Sequence, residues 1–244
     1  MATTFGGVVQ LAPSGPFNSS TTKEMQLGQL ATTLDGRRFR YFYNGGVATI
    51  PGKMYQGPAQ DATNYAPAGG LAVGAAAIGT FQVTLTGSLT ITLNALAGAF
   101  MSVAVTPGQG YIYKVASNTA VAGATGCVVT LEDPLQIALT TSSKVVFVQN
   151  PYNACVVGAT TLTSSPVGVP GTIHAINNYG WLQVGGMASC LVTGTLGSAG
   201  LAVGMLVGGT AGSLAPCIAG TNVLGFTASI AATTEYDIVN LNMN

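Results

Sequence analysis

The sequence predicts an all-β protein, with one or more sandwich or barrel-like β domains behind an extended N-terminal arm. Three observations predict it. Short segments alternate apolar and polar residues with a period of two, as in FQVTLT (81–86) and SLTITLN (88–94), and half-buried strands do this. Such segments recur every 8–15 residues with glycine and proline between them, the pattern of sandwiches and barrels. No capping box stands ahead of a long stripe of helical period, so helix signals are weak throughout.

Residues 1–34 hold Pro13, Pro16 and the polar run Asn18-Ser19-Ser20-Thr21-Thr22, with few periodic apolar positions. They read as an extended arm with room for a short helix over Lys23–Ala31 that nothing demands. Asp35-Gly36 is a tight-turn dipeptide, followed by Arg37-Arg38-Phe39-Arg40-Tyr41-Phe42-Tyr43. A second turn at Asn44-Gly45-Gly46, then Val47–Ile50, Pro51-Gly52 and Lys53–Gln56, completes a compact β-meander. Residues 57–80, with Pro58, Pro67 and the tract AGGLAVGAAAIG, resemble a linker or a loop packed on another surface. Beyond the pair at 81–94, divided by Gly87, strands are expected at 100–105, 110–116, 126–131 and 144–149. The last third continues with strands at 155–158, 180–184, 187–193, 201–207, 213–219, 223–229 and 236–242, and glycine pairs at 185–186 and 208–209 supply turns. No repeat of fixed period emerges. Along the chain this gives an arm and β-hairpin over 1–65, a middle β region over 66–150 and a C-terminal β region over 151–244.

Charge limits what such a chain can do. Seven basic and seven acidic side chains stand among 244 residues, net charge is zero, and none of the fourteen lies between Val145 and Thr234. An ordinary soluble domain is roughly one-quarter charged. A neutral chain is not a nucleic-acid binder of the usual basic kind, whose affinity comes mostly from neutralising phosphates. The hydrophobic share of 48% supports a sizeable core and argues against disorder. A compact chain of 24.4 kDa exposes roughly 10,000 Å², leaving about one charge per 700 Å², sparser than a lone soluble subunit usually carries. Much of the surface is therefore expected to meet other protein. The alternative is an extracellular β protein wetted by Thr, Ser and Asn.

Chemistry-bearing motifs are few. Cys127, Cys155, Cys190 and Cys217 are widely spaced, form no C-x-x-C and sit among apolar neighbours, so they read as buried free thiols. The N-terminus lacks the charged start and apolar run of a secretory signal. The uncharged stretch Gly200–Gly220 has six glycines, Pro216 and no basic flank, and reads as two strands with a turn at Gly208-Gly209 rather than a membrane span. His174, the single histidine, has no acidic neighbour closer in sequence than Asp133 or Glu235 and reads as structural. Glu132 and Asp133 point apart in an extended strand, whereas Glu235 and Asp237 share a face and could in principle hold a cation or serve a hydrolase. No phosphate-binding or dinucleotide glycine motif occurs. No catalytic residue, cofactor or metal site is expected, and no membrane or nucleic-acid partner. The one electrostatic feature is Arg37, Arg38, Arg40 and Lys53 interleaved with Phe39, Tyr41, Phe42 and Tyr43. Such a mixture can bind single strands of nucleic acid, but arginine and tyrosine are also enriched at protein interfaces. A subunit or partner interface through Arg37, Arg38, Arg40, Tyr41, Tyr43 and Lys53 is the favoured reading.

The segment TTLDGRRFRYFYNGGVATIPGKMYQGP resembles the opening of head decoration proteins of tailed bacteriophages, with its Asp-Gly-Arg-x-Phe-x-Tyr hairpin and Pro-Gly-Lys turn. The stretch Asn178-Tyr-Gly-Trp181-Leu-Gln-Val184-Gly-Gly-Met-Ala is similar to a Gly-x-x-Gln-Val-x-Gly strand of the same proteins, ahead of a Val-Leu-Gly-Phe strand and a closing polar–apolar strand. The likeness covers 35–60 and 170–244. It implies a β-rich cement protein on the capsid exterior, binding the major capsid protein and sister copies as a homotrimer, with no active site. The alternative is a tail or fibre component that binds a host surface.

Overall fold

The computed structural model describes residues 7–124, 126–205, 209–218 and 222–243. These residues form an all-β protein in which a single 3-10 turn at Gly15–Phe17 is the one helical element. Two compact units result: Met1–Pro58 with Pro151–Asn244, and Ala59–Asn150 inserted between those segments.

The first segment supplies β1 (Val9–Gln10), β2 (Leu30–Thr32), β3 (Arg38–Tyr43) and β4 (Tyr55–Gln56). The hairpin signalled by Asp35-Gly36 joins β2 to β3. Gly36 adopts φ 82°, a left-handed conformation cheap only without a Cβ, and its N–H donates to Thr33 O at 3.0 Å. The meander expected beyond β3 does not form, because 47–50 contain no strand. Asn44, fully buried, gathers that loop instead: its amide donates to the carbonyls of Val47, His174 and Ala175 at 2.9, 3.1 and 3.0 Å. The chain turns away, and the free edge of β3 is left for a strand far downstream. The arm's described part lies along this sheet: β1 runs parallel to β2, and Ser20 and Tyr179 exchange backbone hydrogen bonds at 3.0 and 2.7 Å. Residues 1–6 of the arm lie outside the described residues.

The inserted unit holds β5 (Leu71–Ala72), β6 (Gln82–Leu85), β7 (Leu89–Ile91), β8 (Phe100–Val105), β9 (Ile112–Asn118), β10 (Val121–Ala124), β11 (Cys127–Leu131) and β12 (Lys144–Val148). Six of them form a sheet in the order β5-β12-β8-β9-β11-β6. Its ends meet, since Val73 bridges Leu85, Gly74 N–H donates to Thr84 O and Thr86 N–H to Ala72 O. The sheet is thus a nearly closed barrel, which removes the exposed edges that invite stray pairing. Period-two alternation fills it: Val83, Leu85, Met101, Val103, Val115, Val129, Val145 and Phe147 are all buried, each worth roughly 1.5–3 kcal/mol by transfer from water. The tract AGGLAVGAAAIG, read as linker or packed loop, carries β5 and the closing bridge. Its small residues hide the strand, whose place is set by the neighbours it joins. β7 and β10 pair as a separate ribbon.

The last segment returns to the first unit with β13 (Val156–Val157), β14 (Pro166–Pro170), β15 (Tyr179–Leu191), β16 (Ala202–Gly204), β17 (Ala215–Pro216), β18 (Gly225–Thr227) and β19 (Tyr236–Asn242). The main sheet runs β1-β2-β3-β15-β19-β18-β16-β17, with β4, β13 and β14 attached beside it. Gly185-Gly186 is not a turn: β15 is one strand of thirteen residues, and the pair makes a bulge where the register with β3 slips between Gln183 and Gly185. A bulge sharpens twist without ending a strand. So β15 pairs with β3 through its first half and with β19 from Gly185 to Leu191. Gly208 of the other expected turn lies outside the described residues, as do 206–207 and 219 of the strands flanking it. The stretch Gly200–Gly220 contributes β16 and β17, and no helix among the described residues is long and apolar enough to cross a membrane. All four cysteines are free, with Cys127, Cys155 and Cys190 buried. Burial pushes the Cys190 thiol up to about 12.

Candidate functional site

The seam between β3 and β15 places side chains by alternation. Tyr41 faces Trp181, Tyr43 faces Tyr179 and Phe39 faces Gln183 across the ladder, so one side of the sheet becomes a row of aromatic rings. Tyr43 and Tyr179 lie 4.9 Å apart centre to centre, Tyr41 stacks on Tyr179 at 5.9 Å, and Tyr41 meets Trp181 edge-on at 5.1 Å. Offset and edge-to-face pairs like these add to simple burial. Val9, Leu11, Met25 and Leu27 of the arm pack against the same row. Where residues 18–24 cross it, a cleft of about 240 Å³ remains, lined by Asn18, Ser19, Ser20, Glu24, Tyr41, Tyr179, Gly180 and Trp181. The Tyr41 hydroxyl oxygen accepts the Glu24 backbone N–H at 3.1 Å and so holds that carboxylate's backbone at the rim.

The six residues expected at an interface fall in different environments. Arg37 pairs with Asp35 at 2.8 Å and lies over the Phe39 ring. A hydrogen bond from Thr33, then those from Arg37, hold the Asp35 carboxyl below its usual range. Arg38 lies across Gly185, where a Cβ would stand 2.9 Å from Nη2, and donates to Asn242 Oδ1 at 3.2 Å. Arg40 donates from Nη1 to Gly28 O at 2.8 Å, while its buried Nε meets no partner among the described residues. Tyr41, 3% exposed, belongs to the interior and offers a partner little surface. Tyr43 is half-buried and donates to Asn177 Oδ1 at 2.9 Å. Lys53 is half-buried and forms no ion pair among the described residues. The cations of the cluster thus serve several local structures.

The other candidates are separated by the fold. Glu235 is exposed and accepts the Ala232 N–H at 2.8 Å, whereas Asp237 is buried, accepting from Ser229 Oγ and from the Ile238 N–H at 2.7 Å. Their side chains are committed to different parts of the 229–238 hairpin. Glu132 pairs with Lys114 at 3.1 Å. His174 is wholly buried, edge-on to Phe42 at 5.2 Å, and neither ring nitrogen has a partner among the described residues. Burial lowers its pKa to about 4, which keeps the ring neutral near pH 7. Among the described residues no group of three or more His, Cys, Asp or Glu is placed to hold a metal.

A second surface lies on β15, β19 and β18. Met187 and Phe226 both face Asn240, and Ser189 faces Ile238. Met187, Phe226, Tyr236 and Ile238 are each about half exposed, at 54, 45, 51 and 52%. The register sets uncharged Asn240 and Ser189 among them, and Arg38 with Asn242 stands at their border through the shared register with Gly185. Beside them is a cleft of about 310 Å³ lined in part by Pro51, Pro170, Ser189 and Tyr236. Sequence reading singled out the arginine hairpin and passed over Glu24, Tyr179 and Trp181. The usable signal was the shared alternation of Tyr41/Tyr43 with Tyr179/Trp181, meaningful only once the two segments are paired. Comparison with family models, curated proteins and solved structures finds no match.

Proposed function

We propose that this chain is a virion structural protein that decorates the capsid exterior and stabilises an icosahedral head by binding the major capsid protein and sister copies, as a homotrimer made in the host cytoplasm. The likeness of 35–60 and 170–244 to head decoration proteins suggests the class. The observation that carries the reading is the uncharged outward face of Met187, Phe226, Tyr236 and Ile238. Large exposed apolar side chains set among uncharged Asn240 and Ser189 fit a protein interface, whose core is depleted of charge, and a pocket beside them suits an anchoring side chain. Arg38 at the border supplies the polar rim such interfaces have. Binding only to the assembled shell stabilises that shell by mass action.

The test is to add purified protein to heads lacking it and record binding, head melting temperature and the light-scattering mass of the free protein. Binding with a raised melting temperature, lost in Ile238→Lys, supports the reading. A monomer that neither binds heads nor changes their melting refutes it. The alternative, a tail or fibre component, is supported instead if labelled protein decorates tails.

A further inference from the structure

We propose that one end of the first unit, formed by Phe17, Val47, Ile50, Ile173 and Ile176, is the seam where copies of this chain meet around a rotation axis. The inference rests on the homo-oligomer of the proposed function and names the surface that holds it together. Three segments far apart in sequence build this end. Asn44 donates to the carbonyls of Val47, His174 and Ala175, so the loops 44–50 and 172–178 share one buried hub. Thr49 fastens them a second time, its N–H donating to His174 O at 2.8 Å and its hydroxyl to Thr172 O at 3.0 Å. The arm joins them: the Phe17 ring stands 3.4 Å from the position of a Cβ on Gly171, and Asn178 Nδ2 donates to Ser19 Oγ at 3.1 Å. On this base Val47 is 71% exposed, Ile173 64%, Ile176 54%, Phe17 51% and Ile50 39%. Together they offer roughly 500 Å² of apolar surface per copy, more than half of the roughly 800 Å² that each partner gives a standard interface. Thr172 and Asn177 of the same loop supply polar groups for a rim.

Charge selects the occupant. The segments carrying these residues, 7–22, 41–52 and 145–234, contain no Asp, Glu, Lys or Arg. Another protein is singled out by complementary charge, and these segments offer none. Near a rotation axis each residue instead meets its own copy, so any charge there would face its like, and an uncharged end is what a self-contact tolerates. The loops are pinned before contact, and valine and isoleucine have little side-chain freedom left to lose, so little ordering cost falls on association. The occupant is therefore a second copy of this chain, and the β15–β19–β18 face is left to the shell.

The full-length protein is examined by sedimentation velocity and light scattering from roughly 1 to 100 µM, a range that covers micromolar association. The expected result is an oligomer in wild type and a dissociation constant raised at least about hundredfold in Val47→Glu and in Ile173→Glu. Both side chains are exposed, and urea unfolding followed by the emission of Trp181, the single tryptophan, verifies that the variants fold. Ile112→Glu, equally exposed on the barrel, should leave the oligomer intact. A wild type that stays monomeric throughout overturns the proposal, as does an oligomer untouched by both glutamates or dissociated equally by Ile112→Glu. A monomer captured by phosphatidylcholine vesicles also overturns it and reassigns the end to a lipid surface. Head binding, measured on the same proteins, separates the two readings: a monomer that binds heads sinks the seam and spares the shell contact, and an oligomer that ignores heads does the reverse.

Discussion

Lowering the pH from 7.5 to 5 isolates one group in this protein. His174 is the single histidine, it is fully buried against Phe42, and both ring nitrogens are without partners among the described residues. Burial lowers its pKa from 6.5 to about 4. In the unfolded chain the ring takes up a proton as the pH falls through 6.5; in the folded chain it stays neutral until about pH 4. The unfolded state therefore binds more protons throughout that window, and stability falls with the pH. The loss is negligible at pH 7.5, about 2 kcal/mol at pH 5, and levels off at roughly 3.4 kcal/mol well below pH 4. Hydrogen bonds hold the Asp35 and Asp61 carboxyls below the ordinary range, so these two stay ionised across the window. Urea unfolding followed by the emission of Trp181, which lies in the same unit, measures the effect. Wild type should lose about 2 kcal/mol between pH 7.5 and 5, and His174→Leu, which cannot titrate, should lose almost none. A flat wild-type profile, or equal slopes in the two proteins, would refute the argument that an unpartnered imidazole is buried here.

Gly180→Ala should destabilise the protein by about 1–3 kcal/mol through overpacking. A methyl there would stand 2.8 Å from His174 Nε2 and closer still to its Cε1 and Nδ1, and adding His174→Ala should recover part of the loss in a double-mutant cycle. Arg40→Ala, read by urea unfolding, should cost about 1–3 kcal/mol because it removes a charge-assisted bond to the Gly28 carbonyl. Arg37→Ala, which breaks a solvent-screened pair with Asp35, should cost clearly less than Arg40→Ala; equal losses would contradict the different roles assigned to the two side chains.

Strands with an intrinsic signal are legible in the order of residues alone. β8 and β19 occupy the ranges 100–105 and 236–242 expected of them, and Asp35-Gly36 makes the turn its composition demands. Strands made of small or restricted residues are not legible in this way: β5 is Leu-Ala, and β14 contains two prolines. Such segments have little propensity of their own and form because a neighbour offers an open edge. Gly185-Gly186 misleads for a related reason. Glycine permits both a turn and a bulge, and the choice depends on whether β19 waits beyond it. At the candidate sites, composition exposes the arginine–tyrosine hairpin but not that Tyr41 is interior or that Arg38 borders an apolar face.

The sequence by itself determined the β class, the sparse charge and the residues free to alternate between inside and outside, because these follow from side-chain chemistry and a period of two. Only the tertiary structure decided that 1–58 and 151–244 share one sheet while 59–150 closes a barrel of its own. It alone paired Tyr41 with Trp181 and Tyr43 with Tyr179. Partners so distant along the chain carry no local signal, and strand pairing is settled by which edges remain open once the nearer hydrogen bonds are made.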